Sequence, residues 1–511
     1  MIWRWLKHHH TPHFPNWPLK ADAHLCCFSL TRGRAMCAMA AIAPVSSPLL
    51  REQSGRLTRT PGSGRATGSA FCPLRVAAAF CGLPLARGWR VKGRTRTRVT
   101  RAAEGARVAV VGAGPAGLAA ALALRKEGLE DVTVFERAPK LRPGVGGGVQ
   151  LHAGAALLAE LGVNLGFAQP LRRIRSRGVD GSELLRLDLP QLVDRFAPLT
   201  GSIRRPDGDL ASCTVMRDAL LAALAAQLPP GSVKFGKELQ GLELKSGSVT
   251  ANFSGESEDF DLVIAADGIG SLARSVVTET VEKPRYTGLR IQYGVREAGG
   301  RPAGCEEEAH QWFGEGVYAL TATYGGLGSK RYEMLAAVFR EDAPAAENAD
   351  WEPVQVQESC LRRLRASGHV PEVLDMASGC SRFFELGVCE RPIGFNRWHR
   401  GRLVLIGDSA HAMPPFLGQG ANQAIQDAVC LARRLAGAGL KSPEALEEAL
   451  NSFTAARLPP VAVLGLESGF VGQVETLPGA VGSLVRDNFF RVMGGSGMAG
   501  LVFLNGAVAR V

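Results

Sequence analysis

The chain has 511 residues and a formal net charge of +11, from 59 Lys and Arg against 48 Asp and Glu. Hydrophobic residues make up 46% and charged residues 21%, which excludes collagen, coiled coil and full-length disorder. The length points to two or three domains.

The charge is unevenly spread. Residues 1–103 hold 17 Lys and Arg and only two acids, Asp22 and Glu52, a net of +15, and the remainder nets −4. A leader rich in Arg, Ser, Thr, Ala and Pro and nearly free of acids has the composition of an organelle transit peptide. Its end, Val99-Thr100-Arg101-Ala102-Ala103, is similar to a stromal processing site, and Met39-Ala40-Ala41-Ile42-Ala43-Pro44 reads as a plastid transit-peptide start. The expected address is therefore the chloroplast, with the mitochondrion as runner-up. The competing reading is a basic nucleic-acid arm. No aromatic-basic alternation accompanies the charges, so no nucleic-acid partner is expected.

His8-His9-His10 lies in the leader without a partnering Cys or acid cluster, so no metal site is expected. Five of the 11 Cys are also in the leader. The other six form no CxxC pair, which argues against a disulfide framework or a zinc site. No window reads as a membrane span of about 20 apolar residues. The nearest cases, 108–124 and 492–509, are interrupted by glycines.

Val108-Ala109-Val110-Val111 is an apolar run suited to a buried parallel strand. Gly112-Ala113-Gly114-Pro115-Ala116-Gly117 follows as G-x-G-x-x-G, then an Ala- and Leu-rich helix to about Lys126. A second strand, Val132-Thr133-Val134-Phe135, ends at Glu136 and Arg137. Gly112 allows the tight turn, Gly114 lets a pyrophosphate approach the backbone, and Gly117 lets helix and strand pack closely. The helix N-terminus, beginning at Pro115 and Ala116, offers free N–H groups to phosphates. Glu136, 19 residues beyond Gly117, sits where a carboxylate binds ribose hydroxyls. NAD and FAD both fit this pattern.

Two later motifs narrow the choice. The run 261–266 reads as a buried strand ending in Asp267-Gly268, with Ser271 and Arg274 at a helix start. Arg402-Leu403-Val404-Leu405-Ile406 is a strand that runs into Gly407-Asp408-Ser409-Ala410-His411. Pro414-Pro415-Phe416-Leu417-Gly418-Gln419-Gly420-Ala421-Asn422 then opens a further helix, with Ala424, Ile425, Ala428, Leu431, Ala432 and Leu435 at core spacing.

With these three motifs in order, residues 105–460 resemble the flavin-dependent aromatic hydroxylases, the single-component class A flavoprotein monooxygenases. The third motif is similar to those of zeaxanthin epoxidases and of salicylate- and urate-hydroxylase-like members. The resemblance implies an α/β fold, with a Rossmann-like FAD-binding domain, an inserted, mostly antiparallel β-sheet substrate domain and a helical C-terminal segment. The implied limits are a leader at 1–103, FAD-binding parts at 104–281 (with some substrate-domain strands) and 396–458, a substrate sheet at 282–395 and a tail at 459–511.

The resemblance also assigns roles. Gly112, Gly114, Pro115, Ala116, Gly117, Glu136 and Arg137 would hold the ADP moiety of FAD. Arg217 would lie near the flavin diphosphate, and Arg142 would reach the ribose or a phosphate. Asp267 and Gly268 would contact FAD and the nicotinamide cofactor. Gly407 and Asp408 would bind the ribityl chain, Pro415 would shape the flavin face, and Gly418, Gln419, Gly420, Ala421 and Asn422 would set backbone N–H groups at the pyrimidine edge. A helix N-terminus there suits the anionic reduced flavin.

The implied reaction consumes NAD(P)H and O2 and inserts one oxygen atom into a small aromatic or isoprenoid substrate through a flavin C4a-hydroperoxide. Alternatives are a flavin-dependent reductase similar to geranylgeranyl reductases, or a non-catalytic FAD-binding protein. The flavin carries the chemistry, so no catalytic side chain is assigned. Trp312, Phe313, Tyr318 and Tyr324 are read mainly as core and secondarily as pocket lining. His310 and His399 are read as ordinary histidines before proton carriers, and His411 as a positioning group. Val481, Leu484, Val485, Asn488, Phe489 and Val492 share one face of a tail helix. Core packing is expected there, with peripheral membrane contact as the lesser reading.

Overall fold

A computed structural model describes residues 105–511 except 142–145, 201–202, 206–207, 300–304, 344–351 and 394–396. The leader, with its expected address and cleavage site, and Arg142 lie outside the described residues.

Val108–Val111 is buried at all four positions, as a strand with neighbours on both sides and helices on its faces must be. It pairs in parallel with Leu262–Ala265 on one side and Val132–Glu136 on the other. Leu403–Leu405 and Val233–Phe235 extend the parallel array, and the short antiparallel strand His399–Arg400 closes one edge of a six-stranded sheet. Helix Pro115–Lys126 begins at the end of the first strand, with proline in its first turn, where a missing N–H costs nothing. Its face Leu118–Leu124 is buried, and helix Gly420–Ala438 packs against it. A three-stranded antiparallel sheet, Leu239–Leu244, Val249–Phe253 and Glu256–Phe260, adjoins this unit.

The second large sheet has ten strands. Its main path runs Arg382–Glu390, Arg285–Glu297, Arg331–Arg340, Val317–Gly325, Glu308–Phe313, Arg173–Arg177, Glu183–Asp188, and most pairings are antiparallel. Gly148–Leu151, Gln169–Pro170 and Cys213–Met216 join it beside Val317–Gly325. This sheet thus draws strands from both sides of residue 282, the limit expected from sequence. Phe313, Tyr318, Val338 and Phe490 form part of a core between the sheet and the C-terminal helices.

The expected limit between 458 and 459 is corrected. Helix Pro443–Glu475 runs unbroken through it, with Pro459 and Pro460 inside. Leu450, Phe453 and Arg457 before the prolines, and Val461 and Leu464 after them, are all buried. Packing on both sides holds the helix together where two prolines remove N–H donors. Two further helices follow, Gly479–Gly495 and Met498–Ala507.

The tail face expected to be core packs only at Phe489, which meets Phe470 and Phe490, and is otherwise corrected. Val481, Leu484, Val485 and Val492 are exposed, the least at 56%. The opposite side of that helix packs instead, with Arg486 and Phe490 buried. The apolar period was real, but it marked the unpartnered side. No helix of the described residues is long and apolar enough to cross a membrane.

One glycine shows how tightly strand, turn and helix fit. A Cβ on Gly117 would lie 1.9 Å from the Gly112 carbonyl oxygen and 3.2 Å from Val110 Cγ1. Gly117→Ala must push the helix off the strand, at an expected cost of about 1–3 kcal/mol. Urea denaturation of the purified variant measures this, and an unchanged midpoint would contradict the packing described.

Candidate active site

The three sequence motifs stand at the C-terminal ends of three neighbouring parallel strands, Val108–Val111, Leu262–Ala265 and Leu403–Leu405. That edge is where open α/β sheets bind ligands. Backbone bonds lace the ends together: Ala266 N–H donates to Val111 O at 2.8 Å and Ile406 N–H to Ala265 O at 3.0 Å.

The motif turns touch one another so closely that side chains are excluded. A Cβ on Gly112, whose φ is +103°, would lie 2.4 Å from Ala266 O. One on Gly407, at φ +60°, would lie 2.9 Å from Ala116 Cβ. The first motif therefore rests on both of the others. Glu136 braces the turn, since Oε2 accepts from Ala113 N–H and Oε1 from Ala138 N–H, each at 2.8 Å. Arg137 beside it is exposed.

In the second motif, Ser271 caps helix Leu272–Thr278 by accepting from Arg274 N–H at 3.0 Å. Arg274 reaches across to donate to Ala410 O at 2.7 Å. Asp267 Oδ2 accepts from Ala273 N–H at 3.3 Å, while Oδ1 is buried with no partner among the described residues. Burial raises the Asp267 carboxyl above its ordinary range, with the Ser271 hydroxyl and backbone N–H groups opposing.

In the third motif, Asp408 is exposed, yet what it faces is a recess inside the protein rather than the outer surface. Burial among surrounding residues therefore still raises its carboxyl, and His411 and Arg217 pull the other way. Arg217 starts helix Arg217–Ala225, and its N–H donates to Gly147 O at 3.2 Å. Gly418, at φ +63°, ends the short turn Pro415–Leu417. The helix Gly420–Ala438 then begins, its first-turn N–H groups directed back at the turn.

The Asn422 side chain has a structural task as well. Oδ1 accepts from His152 N–H at 2.8 Å and Gly154 N–H at 3.2 Å, and Nδ2 donates to Gln150 O at 2.9 Å. It ties strand Gly148–Leu151 to the motif, leaving its backbone N–H for a ligand.

A group the sequence reading did not single out locks this motif. Asp427 is fully buried. Its Oδ2 accepts from Gly407 N–H at 2.9 Å and meets His411 Nε2 at 2.5 Å, and its Oδ1 accepts from Arg457 Nε at 2.8 Å. Burial alone would raise this carboxyl, but His411 and Arg457 hold it below its ordinary value. The signal was present in the sequence as one acid between Ile425 and Ala428 on an otherwise buried face. His310 bonds Glu308 at 2.9 Å and His399 approaches Glu447 at 3.3 Å. Neither borders the recess.

The recess is a cavity of about 720 Å³. Asp408 and the run 415–421 form one wall. The large sheet supplies a second wall through residues such as Tyr293, Tyr318 and Tyr324, and the tail helices a third through Phe470, Phe489 and Phe503. Of the four aromatics singled out by sequence, Tyr318 and Tyr324 line it. Trp312 instead bonds Thr321 Oγ1 at 3.0 Å, and Phe313 packs on Phe490.

These residues fit FAD. A Cβ built on Gly114, Gly268 or Gly420 meets nothing within 4 Å, so one face of each motif is open to a ligand. The partnerless Asp267 Oδ1 lies at that edge. Among the described residues no group of three or more His, Cys, Asp or Glu is placed to hold a metal ion.

The comparisons agree with this geometry. A family model described as FAD binding domain matches residues 105–464. A 3-amino-4-hydroxybenzoate 2-monooxygenase of Streptomyces cremeus is 33% identical over 367 residues, covering 70% of this chain and 84% of that protein. An FAD-dependent urate hydroxylase of Klebsiella pneumoniae is 30% identical, over 70% of this chain and 88% of that protein. Among solved structures, a variant of Klebsiella pneumoniae HpxO complexed with FAD superposes with a TM-score of 0.65 at 25% identity, covering 78% of this chain and 99% of that one. A salicylate hydroxylase substrate complex shares the fold, with a TM-score of 0.61 at 21% identity over 80% and 98%. The chain belongs to the FAD binding domain family of class A flavin-dependent aromatic monooxygenases. It is an FAD-dependent monooxygenase.

Asp427→Asn leaves Arg457 buried without its counter-charge, which costs about 3–5 kcal/mol when such a pair is broken. Because the folded-state pKa is depressed, this stabilisation is fully present above the ordinary value of 3.8 and is lost as pH falls through the lower folded value. Denaturant titrations should therefore separate wild type from the Asn variant at pH 7, with the gap narrowing below pH 3.8. A constant gap across that range would contradict the assignment.

Proposed function

We propose that this enzyme consumes NAD(P)H and O2 to hydroxylate or epoxidise a small aromatic or isoprenoid molecule. When bound, FAD supplies hydride acceptance and oxygen activation. The protein binds, orients and shields. The G-x-G-x-x-G turn takes the diphosphate, with Glu136 on the ribose and Arg217 beside the diphosphate. Asp408 holds the ribityl chain, and Asp267 and Gly268 contact FAD and the nicotinamide cofactor. The N–H groups of 418–422 meet the pyrimidine edge, where a helix N-terminus favours negative charge.

The observation that carries this reading is the cavity's position. Its wall of Asp408 and 415–421 belongs to the flavin motif, while its other walls are mostly apolar. A substrate lodged there lies against the flavin and out of water, which protects reactive oxygen species from hydrolysis and leakage.

The test is direct. The purified chain should show a bound-flavin spectrum, substrate-stimulated NAD(P)H oxidation and one atom of 18O from 18O2 in the product. A reductase of the same fold would give an unlabelled product, and a non-catalytic FAD binder would show no stimulation.

We also propose that the basic leader is an organelle transit peptide directed to the plastid. N-terminal sequencing of the protein from its source should then find a start near residue 104. A start at Met1 would contradict this.

A further inference from the structure

The walls of the cavity carry a charge pattern that bears on substrate class. Among the described residues that line it, none is Lys or Arg, whereas Asp408, Glu467 and Glu475 are all present. A substrate carboxylate brought into such a space loses its water and meets no cation, which is strongly unfavourable.

Away from the flavin motif, the lining carries a compact polar cluster around Glu475, while Glu467, the other carboxylate there, already accepts from Asn505 Nδ2 at 3.2 Å. Gln311 Nε2 donates to Glu475 Oε1 at 3.2 Å and to the Tyr318 hydroxyl at 3.3 Å. Glu475 is fully buried, and its Oε2 has no partner among the described residues. The cluster stands among Ile291, Leu320, Val338 and Phe490.

We propose that the cavity selects an uncharged, largely apolar molecule carrying one O–H or N–H group, and that the Glu475–Gln311–Tyr318 cluster is the polar end that receives it. This inference rests on the proposed function, since it takes the cavity as the substrate site. A donor on the substrate satisfies the orphaned Glu475 oxygen, while its apolar body fills the rest of the chamber. An analogue without the donor leaves that buried oxygen unpaired, and such loss discriminates strongly. Burial raises the Glu475 carboxyl well above its ordinary range and Arg486 opposes this; a substrate O–H or N–H donated to Oε2 supports the ionised, accepting form in the same sense as Arg486 does. Arg486 itself is committed to Asp487 and to the Gly314 carbonyl. Phe470 and Met498 line the cavity and are also 58% and 43% exposed, which gives the chamber an apolar mouth.

The experiment is equilibrium dialysis of the FAD-loaded full chain against three probes: 4-hexylphenol, its methyl ether 4-hexylanisole, and 4-hydroxybenzoate. The phenol should bind about tenfold or more tightly than either of the others, the scale of one buried hydrogen bond or one unpaired buried charge. Glu475→Leu should erase the advantage of phenol over ether while leaving ether affinity within about twofold, and Glu475→Gln should keep most of it. If Glu475→Leu does not fold, Gln311→Leu makes the same comparison, and the wild-type ranking decides the substrate class by itself. Benzoate binding as tight as that of the hexylphenol would overturn the proposal. So would equal weakening of phenol and ether in Glu475→Leu, which marks a structural role. Dialysis needs no turnover, and flavin content is read separately from absorbance. A failed oxygen-insertion assay is therefore distinguishable from a failed ranking.

Discussion

The buried carboxylate of Asp427 is the constraint on which the site depends. It takes the Gly407 N–H, the His411 ring and the Arg457 guanidinium at once. Gly407 cannot move without losing that bond, and Gly407 in turn abuts Ala116 of the first motif. One side chain thus fixes the third motif to its own helix, to the first motif and to helix Pro443–Glu475. The arrangement is stable only as a set, because a buried charge of either sign is costly alone. Arg457 has its remaining donors matched as well, to Gln423, Gln426 and the Arg510 carbonyl.

The C-terminal helices are consequently part of the site. Helix Pro443–Glu475 meets the flavin turn with small residues. Ser468 Oγ donates to Pro414 O at 2.6 Å and accepts from Leu417 N–H at 3.3 Å. A Cβ on Gly472 would fall 2.2 Å from the Phe416 ring, so the ring lies flush on the helix backbone. In helix Met498–Ala507, a Cβ on Gly506 would fall 2.7 Å from the Gln419 side chain, and the Gly506 carbonyl accepts from Gln423 Nε2 at 3.3 Å. The tail supports the turn from behind and closes the chamber from the side.

The sheet ends and motif turns were legible in the sequence because their causes are local. A run of four buried aliphatics, a glycine with positive φ and a helix with proline in its first turn each follow from a few neighbouring residues. The same logic failed for helix Gly479–Gly495. Its apolar period at Val481, Leu484, Val485 and Val492 was read correctly, but which face finds a partner is decided by residues far away, at Leu184, Leu185 and Phe313. Asp427 with Arg457, and Glu475 with Gln311, were illegible for a related reason. Each pair joins residues separated by 30 or 164 positions, and one sequence shows no such pairing. Tyr318 and Trp312 illustrate the limit within a single hairpin. They sit six residues apart on paired strands, yet one lines the cavity and the other bonds Thr321 away from it.

Arg457 and Glu475 lie on one helix, 18 residues or about 27 Å apart. The first end clamps the flavin motif, and the second borders the chamber's polar cluster. Between them Gly465, Ser468 and Gly472 seat the Met413–Leu417 stretch. Such a helix acts as a ruler: the separation between cofactor turn and polar anchor is set by helix rise, not by loop conformation. A loop would let that separation drift, and misplacement by about 1 Å at a reacting centre is enough to cost about a hundredfold in rate. The two prolines inside the helix fall between clamp and anchor, and buried neighbours on both sides hold it continuous. On the proposed function, this C-terminal helix sets how far a substrate held in the chamber sits from the cofactor turn.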